Sequence, residues 1–306
     1  MLKAYSNKDK RIKFFSQENT GPSAARNNGI KHVTGKYVYF LDSDDYLEKN
    51  AFEKIVTEMQ KGYDMVSFNY IREYENGVIL RYSQFVQGEY LFQNQEMLYQ
   101  FICSKFLFYD FGWEGWNRVF RKDIIDKHNI RYDERSRIGE DMCFSLCYML
   151  HSKSYKIIQD RLYHYVKRKD TLLEKSKTAN NFSIFENMTQ IVRQHIQISP
   201  LTSSVLLSIA VEFIEIEVNR LRSRNISDYQ ISKMAYKSLT KEMIALLQKF
   251  ITEKKCKHWI GNDLYERLRY DAKLCVSNGA LFKLFPFYIR LSIYNLIRKI
   301  YYQFVG

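Results

Sequence analysis

The stretch GKYVYFLDSDDYLEKN, residues 35–50, places a short aromatic and β-branched run directly before three aspartates. Residues 36–41 have the length and composition of a buried strand. Asp42, Asp44 and Asp45 follow at its carboxyl end, which in open parallel sheets is the edge where ligands bind. The stretch therefore predicts a sheet with a binding site at its edge.

The neighbouring segments complete an α/β pattern. Residues 11–15, RIKFF, are predicted to form a strand, and the segment that starts at Ser23 is predicted to form a helix. The order strand, helix, strand predicts a parallel pair joined by a crossover helix. An amphipathic helix is predicted for residues 46–62, and two further strands are expected on either side of a turn at Asn76 and Gly77. The predicted fold class is α/β.

The pattern changes beyond about residue 176, where long stretches of helical periodicity replace the strands. We therefore expect an α/β domain over residues 1–178 and a mainly helical C-terminal region over residues 179–306. Residues 281–306 combine lysine and arginine with apolar residues at helical spacing, which predicts an interfacial helix on an anionic membrane surface. A terminal helix that packs on the body of the protein is an equally good explanation.

Composition and charge narrow the class of protein. The 306 residues carry a formal net charge of +13, which favours anionic partners. No recognised nucleic-acid motif accompanies this charge, and no nucleic-acid partner is expected. The five cysteines show no CxxC spacing, and no signal peptide or long apolar span is visible. We expect a cytoplasmic protein, peripheral on the inner face of the plasma membrane if the tail binds lipid.

The three aspartates can be divided by task. Hard divalent cations such as Mg2+ and Mn2+ take one or two carboxylates together with water and phosphate oxygens. Because clustered aspartates repel one another without a cation or basic partners, we predict that Asp42 and Asp44 bind a metal. Asp45 and Glu48 form a capping-box pattern, which predicts that Asp45 caps the following helix.

Residues 18–56, ENTGPSAARNNGIKHVTGKYVYFLDSDDYLEKNAFEKIV, closely resemble the central segment of bacterial family 2 glycosyltransferases. The resemblance implies the GT-A fold, a Rossmann-like nucleotide-sugar-binding domain. Its DxD motif holds a divalent cation (Mg2+ or Mn2+) on the diphosphate of the donor, which we expect to be a UDP-sugar. These roles fall on Asp44 and on Asp42 beside it, and Arg26 and Asn27 are expected in the same pocket. By residue type alone, Arg26 is expected on the surface of the helix, and the Asn27 side chain is expected to hydrogen-bond to the nearby backbone.

A second segment, GWEGWNRVFRKDIIDKHNIRYDERSRIGEDMCFSLCYML, also resembles this family. Glu140 and Asp141 by themselves indicate favourable negative charge at a helix N-terminus. The resemblance implies more: Asp141 is the expected general base for an acceptor hydroxyl, with Glu140 beside it at the acceptor. Trp116 and Asn117 are candidates for the acceptor wall, and a core tryptophan is the alternative.

Residues 161–175, RLYHYVKRKDTLLEK, match the next segment of the family. Arg168 is expected to neutralise the leaving diphosphate. His164 is a candidate contact for the metal or a phosphate, and packing between its tyrosine neighbours is the alternative.

The resemblance covers residues 8–175 and lacks the strand, helix and strand that open the family domain. We therefore expect an N-terminally truncated GT-A domain and, among its partners, a complementing N-terminal chain. The expected function is inverting transfer of a sugar from a nucleotide-diphosphate donor to a hydroxyl of a glycan or lipid-linked acceptor, in cell-surface polysaccharide synthesis. The alternative is an inactive module that binds a partner chain or the membrane surface.

Overall fold

The computed structural model describes residues 2–106, 114–136, 139–168, 181–196, 200–252 and 262–277. Within them, seven strands form one mixed sheet that is flanked by helices. The strands are β1 (Tyr37–Tyr39), β2 (Tyr46–Leu47), β3 (Met65–Tyr74), β4 (Ile79–Tyr82), β5 (Gly88–Leu91), β6 (Arg118–Arg121) and β7 (Ser154–Lys167). The helices are α1 (Leu2–Lys8), α2 (Pro22–His32), α3 (Ala51–Met59), α4 (Gln95–Ser104), α5 (Lys122–Lys127), α6 (Glu140–Met149), α7 (Phe182–Gln194), α8 (Pro200–Arg222), α9 (Asp228–Ser238), α10 (Lys241–Thr252) and α11 (Asn262–Val276).

The long strands β3 and β7 form the centre of the sheet. They run parallel, with Met65 opposite Tyr155 at one end and Tyr74 opposite Lys167 at the other. The strand order is β1-β6-β3-β7-β2, and all other pairings are antiparallel. The first half of β3 pairs with β6 and its second half pairs with β4. In the same way, the first part of β7 pairs with β5 and a later part pairs with β2. This divided pairing curls the sheet, and both central strands end at one edge.

Two predictions of local structure are wrong. Residues 11–15 form no strand, and Ile12 and Phe14 are 40% and 46% exposed, because this segment pairs with no other strand. The strand after the predicted crossover, β1, pairs antiparallel with β6, so the predicted parallel pair does not exist. The helix predicted from residue 46 begins at Ala51, since residues 46–47 pair with β7 as β2.

Hydrophobic packing covers both faces of the sheet. On one face, α3 packs on β3 and β7 around Ile55, Phe68 and Trp116. On the other face, α4 and α6 pack on the sheet and share one continuous apolar core with α7 to α11. Every residue of α6 from Met142 to Met149 is buried, as expected for a helix that is apolar on all sides. Cys143 and Cys147 pack in this core.

The predicted helical C-terminal region is confirmed for the described residues, where α7 to α11 follow β7 without a further strand. The predicted domain boundary near residue 178 and the predicted basic tail, residues 281–306, both lie outside the described residues. Among the described helices, none combines the length and the apolar character required to cross a bilayer.

Candidate functional site

One guanidinium, that of Arg26 on α2, joins the acidic loop after β1 to the start of α6. Arg26 Nη2 donates to Asp42 Oδ1 at 3.0 Å, and Nη1 donates to Glu140 Oε1 at 3.1 Å. The same Nη1 lies 3.0 Å from Asp141 Oδ1 in an ion pair. Arg26 and Glu140 are 114 positions apart in sequence. The two acidic motifs, which the sequence predicts separately, therefore both contact the Arg26 guanidinium.

The environment of Arg26 explains how these carboxylates coexist. The Arg26 side chain is only 16% exposed, and its guanidinium lies 5.1 Å from the ring centroid of Tyr132. Burial lowers the pKa of Arg26, but the facing carboxylates of Asp141 and Asp42 and the Tyr132 hydroxyl raise it above its ordinary value overall. The cation therefore stays charged and offsets the repulsion among the acids.

Asp141 lies in the first turn of α6, which starts directly after Gly139. Gly139 has a φ of 74°, a left-handed conformation that favours glycine. Burial raises the pKa of Asp141 to about 7, against the lowering effect of Arg26 and with the added repulsion of Glu140. The side chain is still 22% exposed. Asp141 is thus a reachable carboxylate that changes protonation state near neutral pH.

Two residues that support Asp141 were not found from the sequence. Tyr132 is buried beneath Arg26, stacked on Phe144 at 4.2 Å. Gly115 gives Asp141 a backbone hydrogen bond, and a Cβ at this position would lie 2.9 Å from the Tyr132 hydroxyl and 3.3 Å from Asp141 Oδ1. Only the close approach in three dimensions identifies Gly115, because a glycine between Glu114 and Trp116 has no distinctive sequence signal.

Gly115→Ala should lower turnover by about tenfold, because its Cβ displaces the Asp141 carboxylate by a few tenths of an ångström. UDP affinity should change by less than about threefold, since the other predicted donor contacts are untouched. The matched control is Gly29→Ala in α2, where an added Cβ meets nothing within 4 Å. Steady-state kinetics and calorimetry measure both quantities. Wild-type turnover in Gly115→Ala would contradict the role of this contact.

Asp45 does not cap a helix, so this prediction is wrong. Its Oδ2 accepts the Tyr163 hydroxyl at 2.5 Å and its Oδ1 accepts the Val166 backbone N–H at 2.8 Å. The residue preceding α3 is Asn50 instead. Burial raises the pKa of Asp45 to about 6. Asp45 therefore attaches the acidic loop to β7.

Arg168, at the end of β7, contacts the same acidic loop. Its Nη2 donates to the backbone oxygen of Asp44 at 3.2 Å, and its Nε lies 3.3 Å from Glu75. The Asp44 side chain is exposed and makes no hydrogen bond or ion pair with another described residue. The structure thus brings Arg168 to the predicted metal-binding loop.

The donor set of this loop fits a cation that is bound mainly by substrate. Among the described residues, no three histidine, cysteine, aspartate or glutamate side chains are grouped to hold a metal by themselves. Asp44 offers an unengaged carboxylate, and Asp42 uses one oxygen on Arg26. Mg2+ and Mn2+ need no more than one or two carboxylates when phosphate and water supply the rest. Asp44 and Asp42 therefore fit such an ion.

His164 lies in a different network. Its Nε2 is 2.9 Å from Glu48 Oε1 and its Nδ1 is 3.4 Å from Glu73 Oε2, so both ring nitrogens face carboxylates. The ring stacks on Tyr46 at 4.2 Å. Since side chains alternate along a strand, His164 points to the opposite face from Tyr163 and Tyr165. Its predicted contact with metal or phosphate stays a prediction.

Asn27, Trp116 and Asn117 are buried. Asn27 Oδ1 accepts the backbone N–H of Tyr132 and Asn27 Nδ2 donates to its backbone oxygen, each at 2.9 Å. Asn27 therefore fixes the segment around Tyr132 to α2. Trp116 is 6% exposed and stacks on Tyr163 at 4.3 Å, while Asn117 is fully buried. Their predicted contacts with nucleotide or acceptor stay predictions.

Known proteins share part of this sequence and its fold. The family model described as "Glycosyl transferase family 2" matches residues 1–128. This match covers less than half of the chain. The matched residues include Arg26 and the loop of Asp42 and Asp44, whereas Asp141 and Arg168 lie beyond them.

Two relatives of this chain come from Bacillus subtilis. EpsJ, described as an uncharacterized glycosyltransferase, is 27% identical over 173 residues, which are 56% of this chain and 49% of EpsJ. EpsH, a putative glycosyltransferase, is 30% identical over 163 residues, 53% of this chain and 46% of EpsH. The chain thus spans about half the length of these relatives.

The fold of this chain is the GT-A fold. A crystal structure of Staphylococcus aureus TarS residues 1–349 in complex with UDP-GlcNAc superimposes with a TM-score of 0.65 at 17% identity. The superposition covers 91% of this chain and 75% of the TarS chain, including helices beyond the sheet. The predicted fold class is therefore confirmed.

Proposed function

We propose that this chain transfers a sugar from a nucleotide-diphosphate donor to a hydroxyl of a glycan or lipid-linked acceptor, with inversion at the anomeric carbon. The observation that carries the proposal is the Arg26 cluster, in which the DxD loop and the Glu140–Asp141 pair contact one guanidinium. A donor site and a base must lie this close for direct displacement. Cell-surface polysaccharide synthesis is the proposed context, because the match of residues 1–128 to the family 2 model and the expected acceptor chemistry agree with it.

The proposed reaction is a single displacement. The acceptor oxygen forms a bond to the anomeric carbon while the bond from that carbon to the diphosphate oxygen breaks, and the nucleoside diphosphate leaves with the electron pair. The acceptor proton goes to the Asp141 carboxylate, which must be ionised to take it. Arg26 favours this ionised form, since it lowers the pKa of Asp141 against the effect of burial.

Charge on the leaving diphosphate requires cationic partners. Arg168 is the proposed side-chain partner, because it contacts the backbone of Asp44 and is 45% exposed. A divalent cation, when bound by Asp44 and Asp42, supplies further positive charge to the diphosphate. A UDP-sugar is the proposed donor, in line with the UDP-GlcNAc bound in the TarS structure. Glu140, beside Asp141, and Trp116 are the proposed acceptor contacts.

Asp44→Asn should remove the Mn2+-dependent part of UDP binding, with a loss of affinity of at least about tenfold. Asparagine keeps the shape of the side chain but lacks the charge that a hard cation requires. Calorimetric titration of UDP with Mn2+ and with EDTA measures this part. The matched control, Asp126→Asn on α5, removes one aspartate charge elsewhere. Absence of UDP binding in the wild-type chain would reject the proposed function, and Mn2+-dependent binding in Asp44→Asn would reject the metal ligand.

A further inference from the structure

Two arginines lie directly opposite each other on neighbouring strands beside the candidate site. Arg72 on β3 is the register partner of Arg81 on β4, next to an irregularity between Arg72 and Glu73. Arg81 is exposed and Arg72 is partly buried. Like charges at opposed positions of an antiparallel pair destabilise the sheet, so an anion bound between the two arginines would stabilise this arrangement.

The direct contacts of both arginines are with tyrosine side chains. Arg81 Nη2 donates to the Tyr70 hydroxyl at 3.3 Å, and the Arg72 guanidinium lies 5.2 Å from the ring centroid of Tyr165. Arg72 Nε is buried and has no hydrogen-bond partner. Neither arginine forms an ion pair with a carboxylate among the described residues. Their positive charges are therefore available to a ligand.

The nearest acidic residues in sequence are engaged elsewhere. Glu73 accepts the Tyr46 hydroxyl at 2.5 Å and faces His164, on the side of the sheet opposite to Arg72. Glu75 pairs with Arg168. Other carboxylates lie near the tyrosines that the arginines contact, Glu114 near Tyr70 and the acidic loop near Tyr165, but none is ion-paired with Arg72 or Arg81 among the described residues.

This face leads to the acidic loop. Tyr165, which contacts Arg72, stacks on Trp116 at 5.6 Å, and the next residue, Val166, is bonded to Asp45. Tyr70, which contacts Arg81, packs edge-on against the same Trp116 at 4.8 Å. A row of packed aromatic side chains, in which Tyr70 and Trp116 are buried and Tyr165 is partly exposed, therefore connects the arginine pair with the site of the proposed reaction.

We propose that Arg72 and Arg81 bind a phosphate or phosphodiester group of the acceptor. The assignment of the bound molecule as the acceptor rests on the proposed function, whereas the anion site itself rests on the Arg72–Arg81 pair. Two guanidinium groups supply planar, multidentate donors that match phosphate oxygens, and an anion between them removes their repulsion. The acceptor class is thus a phosphate-bearing chain, with its sugar or polyol portion extending across Tyr165 toward Asp141.

The test uses the full chain without donor and a synthetic soluble oligomer of glycerol phosphate as the probe. In isothermal titration calorimetry, Arg72→Gln with Arg81→Gln should weaken binding of the oligomer by at least about tenfold. The matched control, Lys10→Gln with Lys13→Gln, removes two exposed positive charges elsewhere and should weaken binding by less than about threefold. UDP affinity with Mn2+ should stay within about twofold in both double variants.

Several outcomes would overturn the proposal. An equal loss in the control would mean that net charge alone attracts the oligomer. A matching loss of UDP affinity would assign the arginines to the donor diphosphate. Binding to phosphatidylglycerol vesicles without binding to the soluble oligomer would assign them to a lipid surface.

A second variant separates binding from folding. Arg72→Lys with Arg81→Lys retains both charges but loses the planar donors, and should recover part of the lost affinity. Its thermal unfolding shows whether the hairpin remains intact. In one outcome, the wild-type chain binds the oligomer but not UDP. If the glutamine variant then loses oligomer binding, the result supports the anion site and rejects only the proposed transferase. Normal UDP binding with unchanged oligomer affinity would reject only the anion site.

Discussion

Asp141→Asn should reduce sugar transfer by about 100-fold or more while UDP affinity stays within about threefold. Asparagine has nearly the same shape as aspartate but cannot accept the acceptor proton. Coupled detection of released UDP measures turnover, and calorimetry measures binding. Glu140→Gln is the comparison variant, since it alters the same helix turn and the same Arg26 contact without removing the proposed base. A smaller loss of turnover in Asp141→Asn than in Glu140→Gln would contradict the assignment.

The pH dependence gives a second readout of this prediction. Burial raises the pKa of Asp141 to about 7 from an ordinary value of 3.8, so the carboxyl is protonated at lower pH and cannot act as a base. The kcat/KM of the wild-type chain should therefore rise as pH increases through about 7 and then level off. This rise should be absent from the residual activity of Asp141→Asn. A wild-type profile without such a rise would show that another group accepts the proton.

Arg26→Gln should lower the free energy of unfolding by on the order of 3 kcal/mol at neutral pH. The change leaves Asp42, Glu140 and Asp141 close together without their shared counter-ion. Thermal and chemical unfolding measure the loss. It should shrink as pH falls through the pKa of Asp141, because protonation removes one of the repelling charges. Turnover should fall as well, and its pH dependence should move to higher pH.

Arg11→Gln is the matched control for Arg26→Gln. Arg11 also pairs with an aspartate, Asp9 at 2.7 Å, but its side chain is 91% exposed. Exposed ion pairs contribute little to stability, so this variant should unfold at the same midpoint as the wild-type chain within experimental error. Equal destabilisation by the two variants would mean that the Arg26 cluster has no special importance for stability.

Features that depend on local sequence could be predicted. The strand before Asp42, the acidic first turn of α6 and the helices after β7 follow from periodicity, charge and flanking glycines. The strand expected at residues 11–15 failed because strand formation depends on a distant pairing partner, which local composition does not reveal. The prediction that Asp45 caps a helix failed for a similar reason, since its hydrogen-bond partner Tyr163 is 118 positions away in sequence.

The candidate site could be predicted only in pieces. Family resemblance named Arg26, Asp42 and Asp141, but not that one guanidinium contacts all three. The pairing of Arg72 with Arg81 depends on a register that shifts at the next residue, and no spacing rule reproduces such a shift.

The continuous core between α4, α6 and the helices α7 to α11 has a consequence for protein engineering. A chimera in which the helical region is replaced by that of a relative would contain a new packing interface within the hydrophobic core. The exchanged part would have to match Phe144 and Leu146 on α6 as closely as one half of a core matches the other. The helices after β7 therefore behave as part of the scaffold that holds Asp141, not as an interchangeable module.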